Sequence, residues 1–207
     1  MRRNRVTTAS PDIEIVVLAA GLSRRMGEAN KLLLEIDGEP LVRRAVRRYR
    51  ACAERVIVVL GHEADRVREA LSGLDVRCVV NPDYQEGRQS TARAGFQAAA
   101  MDGEAVMLAL ADQPLLEEAD IALLIDGFMH SGRDKIFIPY FQGARGNPVI
   151  FPASLARDIK ADRQVPGCRK FIDAHPELVH RFEVPNNHFM TDIDTPEEAQ
   201  LFGAMPQ

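Results

Sequence analysis

Apolar runs and amphipathic stretches alternate along the 207 residues of this chain. The alternation is typical of an α/β fold with a mainly parallel sheet, because buried parallel strands appear as short, continuous apolar runs. Such runs predict strands over residues 13–18, 55–60, 76–80, 105–110 and 135–139. Apolar positions at helical spacing predict helices over residues 63–71, 90–100, 117–129 and 154–160, and two further helices that open at Pro40 and Pro196.

The helix that opens at Pro40 has an apolar face and an arginine face. The arginines are Arg43, Arg44, Arg47, Arg48 and Arg50. Such a face either docks an anionic partner or is solvated while its aliphatic stems cover apolar surface, and we predict the second. Beyond residue 139 the alternation weakens, and segment 143–151 predicts a glycine-marked turn that leads into a strand.

Size and composition fit a globular protein, since 46% of the residues are hydrophobic and 27% are charged. No repeat or linker divides the chain. We therefore predict a single domain over residues 11–207, preceded by a disordered basic tail over residues 1–10. Its expected class is α/β, a three-layer Rossmann-like fold with a mostly parallel central sheet.

The charge and the apolar runs argue against several classes of partner. A net charge of −4 indicates neither nucleic acid nor an anionic membrane as a partner. No apolar run approaches the roughly 20 residues of a membrane span. The three cysteines are far apart and show no metal-binding spacing, which indicates a reducing, cytoplasmic environment.

The most informative segment follows the first predicted strand. It reads Leu18-Ala19-Ala20-Gly21-Leu22-Ser23-Arg24-Arg25-Met26-Gly27, and a lysine follows at position 31. Small residues let the backbone approach a ligand, and guanidinium and amide N–H groups suit phosphate oxygens. Glu28 excludes a Walker A loop, and no Gly-x-Gly-x-x-Gly run opens a helix here. We therefore predict a polyphosphate loop of another kind, against the alternative of an ordinary turn with surface arginines.

Carboxylates follow at two places where a divalent cation could assist such a loop. Asp112 comes after the strand over residues 105–110, at the sheet edge where open α/β sheets bind ligands. Asp192 and Asp194 are two residues apart, so both project to one face of an extended backbone. Because Mg²⁺ prefers carboxylate and water ligands, Asp112 with Asp192 or Asp194 is a candidate magnesium site. The competing interpretations are a turn at Asp112 and a helix cap at Thr195 that Asp194 merely assists.

The first segment, together with its lysine, resembles the LAAGxSxRMG signature of MobA-like nucleotidyltransferases. The resemblance implies a nucleotidyltransferase fold whose loop wraps a nucleoside triphosphate through Leu18, Ala19, Ala20, Gly21, Ser23, Arg25 and Lys31. Arg25 and Lys31 are implied as the catalytic cations that stabilise charge at the phosphorus under attack. Asn30 departs from the family pattern, in which many members carry proline before the lysine.

Further segments extend the resemblance towards the C-terminus. Asp112 is implied as a nucleotide contact and magnesium ligand, and the run from Asp192 looks like the DxDTPE motif of cytidylyltransferase-type members. The remaining implied nucleotide contacts are Gly61, Asn81 and Ser90, and the implied acceptor contacts are Asn147 and Arg169.

The family divides at Ala20, because members that transfer CMP tend to read LAAG. The resemblance thus implies transfer of CMP from CTP to the phosphate of molybdenum cofactor (molybdopterin), with Mg²⁺ as cofactor and pyrophosphate as leaving group. A molybdenum enzyme or its chaperone is implied as the recipient. Guanylyl or other nucleotidyl transfer to molybdopterin, or transfer to a sugar or polyol phosphate, is the alternative reaction. A non-catalytic, cofactor-binding chaperone is the alternative from another class.

Overall fold

A central sheet of eight strands organises the computed structural model, which describes residues 12–161 and 168–205. The strands are β1 (Ile13–Ala19), β2 (Glu35–Ile36), β3 (Glu39–Pro40), β4 (Arg55–Leu60), β5 (Arg77–Val80), β6 (Ala105–Leu110), β7 (Ile136–Phe141), β8 (Ala144–Arg145), β9 (Val149–Pro152) and β10 (Val179–Glu183). Seven run in the order β10-β7-β9-β6-β1-β4-β5, β8 pairs with β7, and β2 with β3 forms a separate ribbon.

The sheet is mostly parallel, as predicted. Strand β1 lies between β4 and β6 and is parallel to both, and β5 continues the parallel run beyond β4. Strand β9 runs in the opposite direction, since it is antiparallel to both of its neighbours, β6 and β7. It follows that β9 begins at the edge of the sheet where β1, β4 and β6 end.

Helices cover both faces of the sheet, which confirms the predicted three layers. They are α1 (Leu41–Cys52), α2 (Ala64–Ala70), α3 (Arg88–Ala98), α4 (Glu118–His130), α5 (Ala153–Ala161), α6 (Cys168–Ala174) and α7 (Pro196–Leu201). In β1, Ile15 and Val17 belong to the core under α1, α2 and α4, whereas Val16 belongs to the core under α3, α5 and α6. The strand is therefore buried on both faces, and this explains its continuous apolar sequence.

Helix α3 packs very close to the sheet at Gly95. A Cβ atom at this position would lie 2.3 Å from Cγ1 of Val16 and 3.1 Å from Cγ2 of Val59. Only glycine leaves room for this approach. The contact sets how closely the second half of α3 approaches the middle of β1.

Some element boundaries differ from the predictions. Helix α3 begins at Arg88, so Ser90 lies in its first turn and Gly87 precedes the helix. Pro40 lies before the first turn of α1 rather than within it. The sequence pattern gave no sign of α6, β10 or the β2–β3 ribbon.

The arginine face of α1 differs from the predicted solvated face at two of its five arginines, whereas Arg47 is exposed as predicted. Arg48 is buried, and its Nη1 donates hydrogen bonds to the carbonyl oxygens of Pro114 (3.1 Å) and Leu116 (2.8 Å). Arg43 likewise donates to the carbonyl oxygens of Ala70 (3.0 Å) and Ser72 (2.8 Å). These arginines bind neighbouring loops because a guanidinium presents several donors in a fixed fork.

The basic tail predicted over residues 1–10 lies outside the described residues. Among the helices that the structure describes, none has the length and apolar character needed to cross a membrane.

Candidate functional site

Loops that follow parallel strands form the candidate site at one edge of the sheet. The loop after β1 carries Arg25 and Lys31, and the loop after β6 carries Asp112. The segment before β9 brings Asn147 to the same edge. This is the edge at which open α/β sheets bind ligands, because short loops converge there on a crevice.

The loop after β1 is closed by its own side chains. Ser23 adopts a left-handed backbone conformation (φ 50°), and its Oγ accepts a hydrogen bond from the Lys31 amide (3.2 Å). Oδ1 of Asn30 accepts from the Leu32 amide (3.1 Å) and so caps the short 3₁₀ turn Lys31–Leu33. Asn30, which replaces the proline of many relatives, therefore supplies a capping bond that proline cannot make.

Lys31 lies at the centre of the site. Its Nζ donates to Oδ2 of Asp112 (2.6 Å) and to Oδ1 of Asp194 (2.7 Å). Arg25 pairs with the other oxygen of Asp194. Burial alone would lower the pKa of Lys31, but the charges and hydrogen bonds of Asp112 and Asp194 outweigh it and raise that pKa above its usual value.

Three carboxylates converge beside this lysine. Oxygens of Asp112, Asp192 and Asp194 all lie within 4.8 Å of one another. Oδ1 of Asp112 is buried without a hydrogen-bond partner. Burial raises the pKa of Asp192, and the negative charges of Asp112 and Asp194 raise it further. An all-oxygen donor set with an unpartnered buried oxygen fits a hard divalent cation.

The cap of α7 is made without the side chain of Asp194, which the sequence left as one interpretation of that residue. Thr195 Oγ1 accepts from the Glu198 amide (3.3 Å), and the Glu198 carboxylate accepts from the amides of Asp194 (2.7 Å) and Thr195 (3.0 Å). Thr195 and Glu198 therefore cap α7 by themselves. The Asp194 carboxylate remains paired with Lys31 and Arg25. The pairing lowers its pKa, although burial would raise it.

A cleft of about 450 Å³ opens beside these charges. Eight of the predicted residues line it: Leu18, Ala20, Gly21, Ser23, Arg25, Lys31, Asp112 and Asp194. The sequence did not indicate a second group on the opposite wall, which is Tyr84, Gln85, Glu86, Gly87, Arg88 and Thr91. Residues 84–87 lie between β5 and α3, and Arg88 and Thr91 lie in the first turn of α3. The pair Asn81-Pro82, which precedes this wall, was the available sequence signal.

Four further predicted nucleotide contacts lie behind the walls of the cleft, within the part of the chain described. Ala19 belongs to the core. A Cβ atom on Gly61 would lie 2.5 Å from Cβ of Tyr84, so glycine permits that packing. Nδ2 of Asn81 donates to Oγ of Ser90 (3.0 Å), and that hydroxyl donates to the Asp83 carbonyl (2.7 Å). Asn81 and Ser90 therefore support the wall formed by residues 84–88. That these four residues contact the nucleotide directly stays a prediction.

A second cleft, of about 370 Å³, adjoins the first. The two predicted acceptor contacts, Asn147 and Arg169, both line it. Leu18, Arg88 and Leu110 line both clefts, so the clefts meet at the ends of β1 and β6.

Gln113 joins the loops around the two clefts. It is 3% exposed, and its Nε2 donates to the carbonyl oxygens of Phe189 (2.7 Å) and Asn147 (3.3 Å). The Ile193 amide in turn donates to the Asp112 carbonyl (3.0 Å). The segment before Asp194 is thus fastened to the β6 loop at two points.

Residues 15–179 match the family described as the MobA-like NTP transferase domain. The chain belongs to this family. The family assignment, the α/β fold and the charged crevice together make the chain a nucleotidyltransferase by descent, and this confirms the resemblance noted in the sequence.

Named relatives cover nearly the whole chain. Nicotine blue oxidoreductase of Paenarthrobacter nicotinovorans is 31% identical over 205 residues, which are 92% of this chain and 96% of that protein. Molybdenum cofactor cytidylyltransferase of Escherichia coli K12 is 24% identical over 187 residues, which are 90% of this chain and 93% of that protein. The structure of Rv0371c from Mycobacterium tuberculosis in complex with manganese has a TM-score of 0.71 and 23% identity, covering 93% of this chain and 98% of that one.

Proposed function

We propose that this MobA-like protein transfers CMP from CTP to the phosphate of molybdenum cofactor and releases pyrophosphate. The observation that carries the proposal is the meeting of Lys31, Asp112 and Asp194, which come from three distant parts of the chain and lie within hydrogen-bond distance in one crevice. A binding protein has no need for a buried lysine beside three carboxylates. A phosphoryl-transfer site needs both, because its chemistry rests on neutralising charge.

The cations of the β1 loop serve the phosphates of the nucleotide. Arg25 is 65% exposed along its side chain and lines the first cleft, so it can move onto a phosphate without loss of buried contacts. Lys31 is held at the inner end of the same wall. Together with the loop amides, the two cations stabilise the charge that develops when the acceptor oxygen attacks the α-phosphorus and pyrophosphate leaves.

Asp112, Asp192 and Asp194 are the residues that would hold Mg²⁺. When bound, the ion neutralises phosphate oxygens and orients the triphosphate. A manganese complex among the similar structures supports a divalent cation of this type. Lys31 pairs with two of these three carboxylates, those of Asp112 and Asp194, and its single charge offsets part of their repulsion.

CTP is the nucleotide we propose, for two reasons. Ala20 lines the cleft where members that transfer GMP carry glycine, and its methyl group narrows the space for a base. A relative that covers most of this chain is named as a cytidylyltransferase. One methyl group discriminates only modestly between ligands, so we expect a preference for CTP rather than exclusion of other nucleotides.

Molybdopterin is the acceptor we propose for the second cleft. Leu108, Val149, Phe151 and Ile172 supply an apolar lining, which suits a flat heterocycle better than the many hydroxyls of a sugar or polyol phosphate. A molybdenum enzyme or its chaperone would receive the product.

Pyrophosphate release measured with CTP, GTP, ATP and UTP, with and without molybdopterin, tests the proposal. We expect release with CTP only when molybdopterin is present. Lys31→Ala and Asp112→Ala should each lower the rate at least ~100-fold. Lys170→Ala and Asp126→Ala, which change exposed residues outside both clefts, are the matched controls. Full activity in either site variant would refute the assigned roles, and binding of molybdopterin without turnover would favour a chaperone.

A second candidate function is oxidoreduction, favoured by the 31% identity to a nicotine blue oxidoreductase. Reduction of nicotine blue by NADH or NADPH, followed by absorbance, distinguishes the two. We expect the wild type to reduce nicotine blue no faster than Lys31→Ala does, because the buried lysine and carboxylates serve phosphates rather than hydride transfer.

A further inference from the structure

Arg145 is a partly buried guanidinium in the wall of the second cleft. It ends the short strand β8, and its side chain is 25% exposed. Within the described residues its paired carboxylate is Asp173 on α6, with Nη1 3.3 Å from Oδ1. Burial lowers the pKa of Arg145, and the nearby charge of Asp173 opposes that shift. A guanidinium still remains charged in proteins, so it needs an anionic partner at this depth.

Asp173 alone cannot balance the positive charges at the mouth of the cleft. Nε of Arg169, one helical turn earlier on α6, lies 3.9 Å from the other oxygen of the same carboxylate. One exposed carboxylate is therefore shared by two guanidinium groups. Arg88 adds a third guanidinium from the opposite wall.

No acidic side chain lines this cleft in the described ranges, whereas Glu86, Asp112 and Asp194 line the first. The second cleft thus combines an apolar floor with an excess of positive charge. Its natural occupant has a weakly polar body and a compact negative group.

We propose that Arg145 selects the occupant of the second cleft for its negative charge, and that Asp173 is a resting partner which the incoming anion replaces. The occupant class is a weakly polar molecule that carries a phosphate or a similar anion. That this occupant is the acceptor of the reaction rests on the proposed function. That an anion binds at Arg145 does not depend on that function.

Two dyes with the same aromatic body test this selection without any reaction. Anilinonaphthalene sulfonate carries an anion, phenylnaphthylamine does not, and the fluorescence of both rises in apolar sites. We expect the wild-type protein to bind the sulfonate more tightly than the neutral dye. Arg145→Gln should weaken sulfonate binding about 10-fold and change neutral-dye binding less than ~2-fold, because a charge-assisted hydrogen bond is lost.

Three companion variants sharpen the test. Asp173→Asn should tighten sulfonate binding, because it removes the competing carboxylate. Arg169→Gln should weaken it less than Arg145→Gln, since the Arg169 side chain is 81% exposed. Arg93→Gln, an exposed change on α3 outside both clefts, is the matched control. Equal affinity of the two dyes for the wild type, or a loss in Arg145→Gln no larger than in Arg93→Gln, overturns the proposal.

The outcome separates cleanly from that of the proposed function. If CTP and molybdopterin yield no pyrophosphate while the dye pattern holds, the reaction is wrong and the anion selection stands. If they do react, Arg145→Gln should raise the KM for molybdopterin about 10-fold and leave the KM for CTP unchanged.

Discussion

Gln113 shows how a single buried amide supports the chemistry of its neighbour. Asp112 faces the cation site, and the next side chain ties the loop to Phe189 and Asn147. Both bonds of Gln113 use the same NH₂ group. The position therefore requires a donor, and an acceptor of the same shape would face two carbonyl oxygens.

Gln113→Glu tests this requirement. We expect the free energy of unfolding in urea to fall by about 2–4 kcal/mol, since two buried carbonyls lose their donor and a carboxylate is buried beside them. Gln200→Glu on exposed α7 is the control, and it should change stability by less than ~0.5 kcal/mol. Equal stability of the two variants would contradict the role given to Gln113.

Several of the site residues were readable from the sequence, but their neighbours were not. The glycine turn, Asp112 and the Asp192–Asp194 pair each follow a local signature. Contact of Lys31 with Asp112 and Asp194 spans 81 and 163 positions, and no local pattern specifies such a distance. Asn81 and Ser90 show a second reason. Both were predicted as nucleotide contacts, but their polar side chains hydrogen-bond to each other behind the wall of the cleft.

Helix α1 is fastened to the start of α4 by one arginine. Arg48 donates to two carbonyls of the loop after β6 and pairs with Glu117, whose carboxylate belongs to the capping box of α4. The apolar faces of both helices contribute to the same core. The arginine therefore fixes the register of two helices that already attract each other.

Arg48→Lys should weaken this junction. A lysine keeps the charge but loses the fork, so we expect a loss of about 2 kcal/mol in urea unfolding. Arg47→Lys is the matched change one position earlier. The Arg47 side chain is 48% exposed and pairs with Glu39 and Glu118, so its loss should stay below ~1 kcal/mol. Similar losses in the two variants would show that the fork of Arg48 is not needed.

Strands with a buried, continuous apolar sequence were predicted well, and strand β10 at the edge of the sheet was not. Strands β4 and β6 have the predicted limits. Strand β10 reads Val-His-Arg-Phe-Glu and lies at the end of the sheet, where polar residues are tolerated on both faces. Its pairing with β7 crosses more than 40 positions, so the strand is defined by its partner rather than by its own residues.

The acid cluster influences the stability of the entire fold. Asp192 has a raised pKa in the folded chain, because it is buried beside two other carboxylates. Such a group does not change the free energy of folding at a pH below its pKa in the unfolded chain, because there it is protonated in both states. As the pH rises through the unfolded-state pKa and then the folded-state pKa, the ionised carboxylate destabilises the fold.

Asp192→Asn should therefore stabilise the protein in EDTA at neutral pH, by about 0.5–1 kcal/mol after allowance for solvent screening. The gain should vanish as the pH falls below about 4, the pKa of an unperturbed aspartate. Added Mg²⁺ should reverse the order, because the wild type retains three ligands and gains binding energy. Thermal denaturation with EDTA and with Mg²⁺ measures both effects. A variant that responds to Mg²⁺ as the wild type does would remove Asp192 from the cation site.

Leu18, Arg88 and Leu110 border both clefts, so two substrates would lie end to end in one continuous trough. Once joined, and after pyrophosphate has left, they would form a single molecule that contacts the protein through both its nucleotide half and its acceptor half. Release of such a product would be slow, because freeing one half leaves the other half bound. Departure of the finished molecule, rather than bond formation, would then limit the cycle, and a recipient protein that draws it out would act as an accelerator.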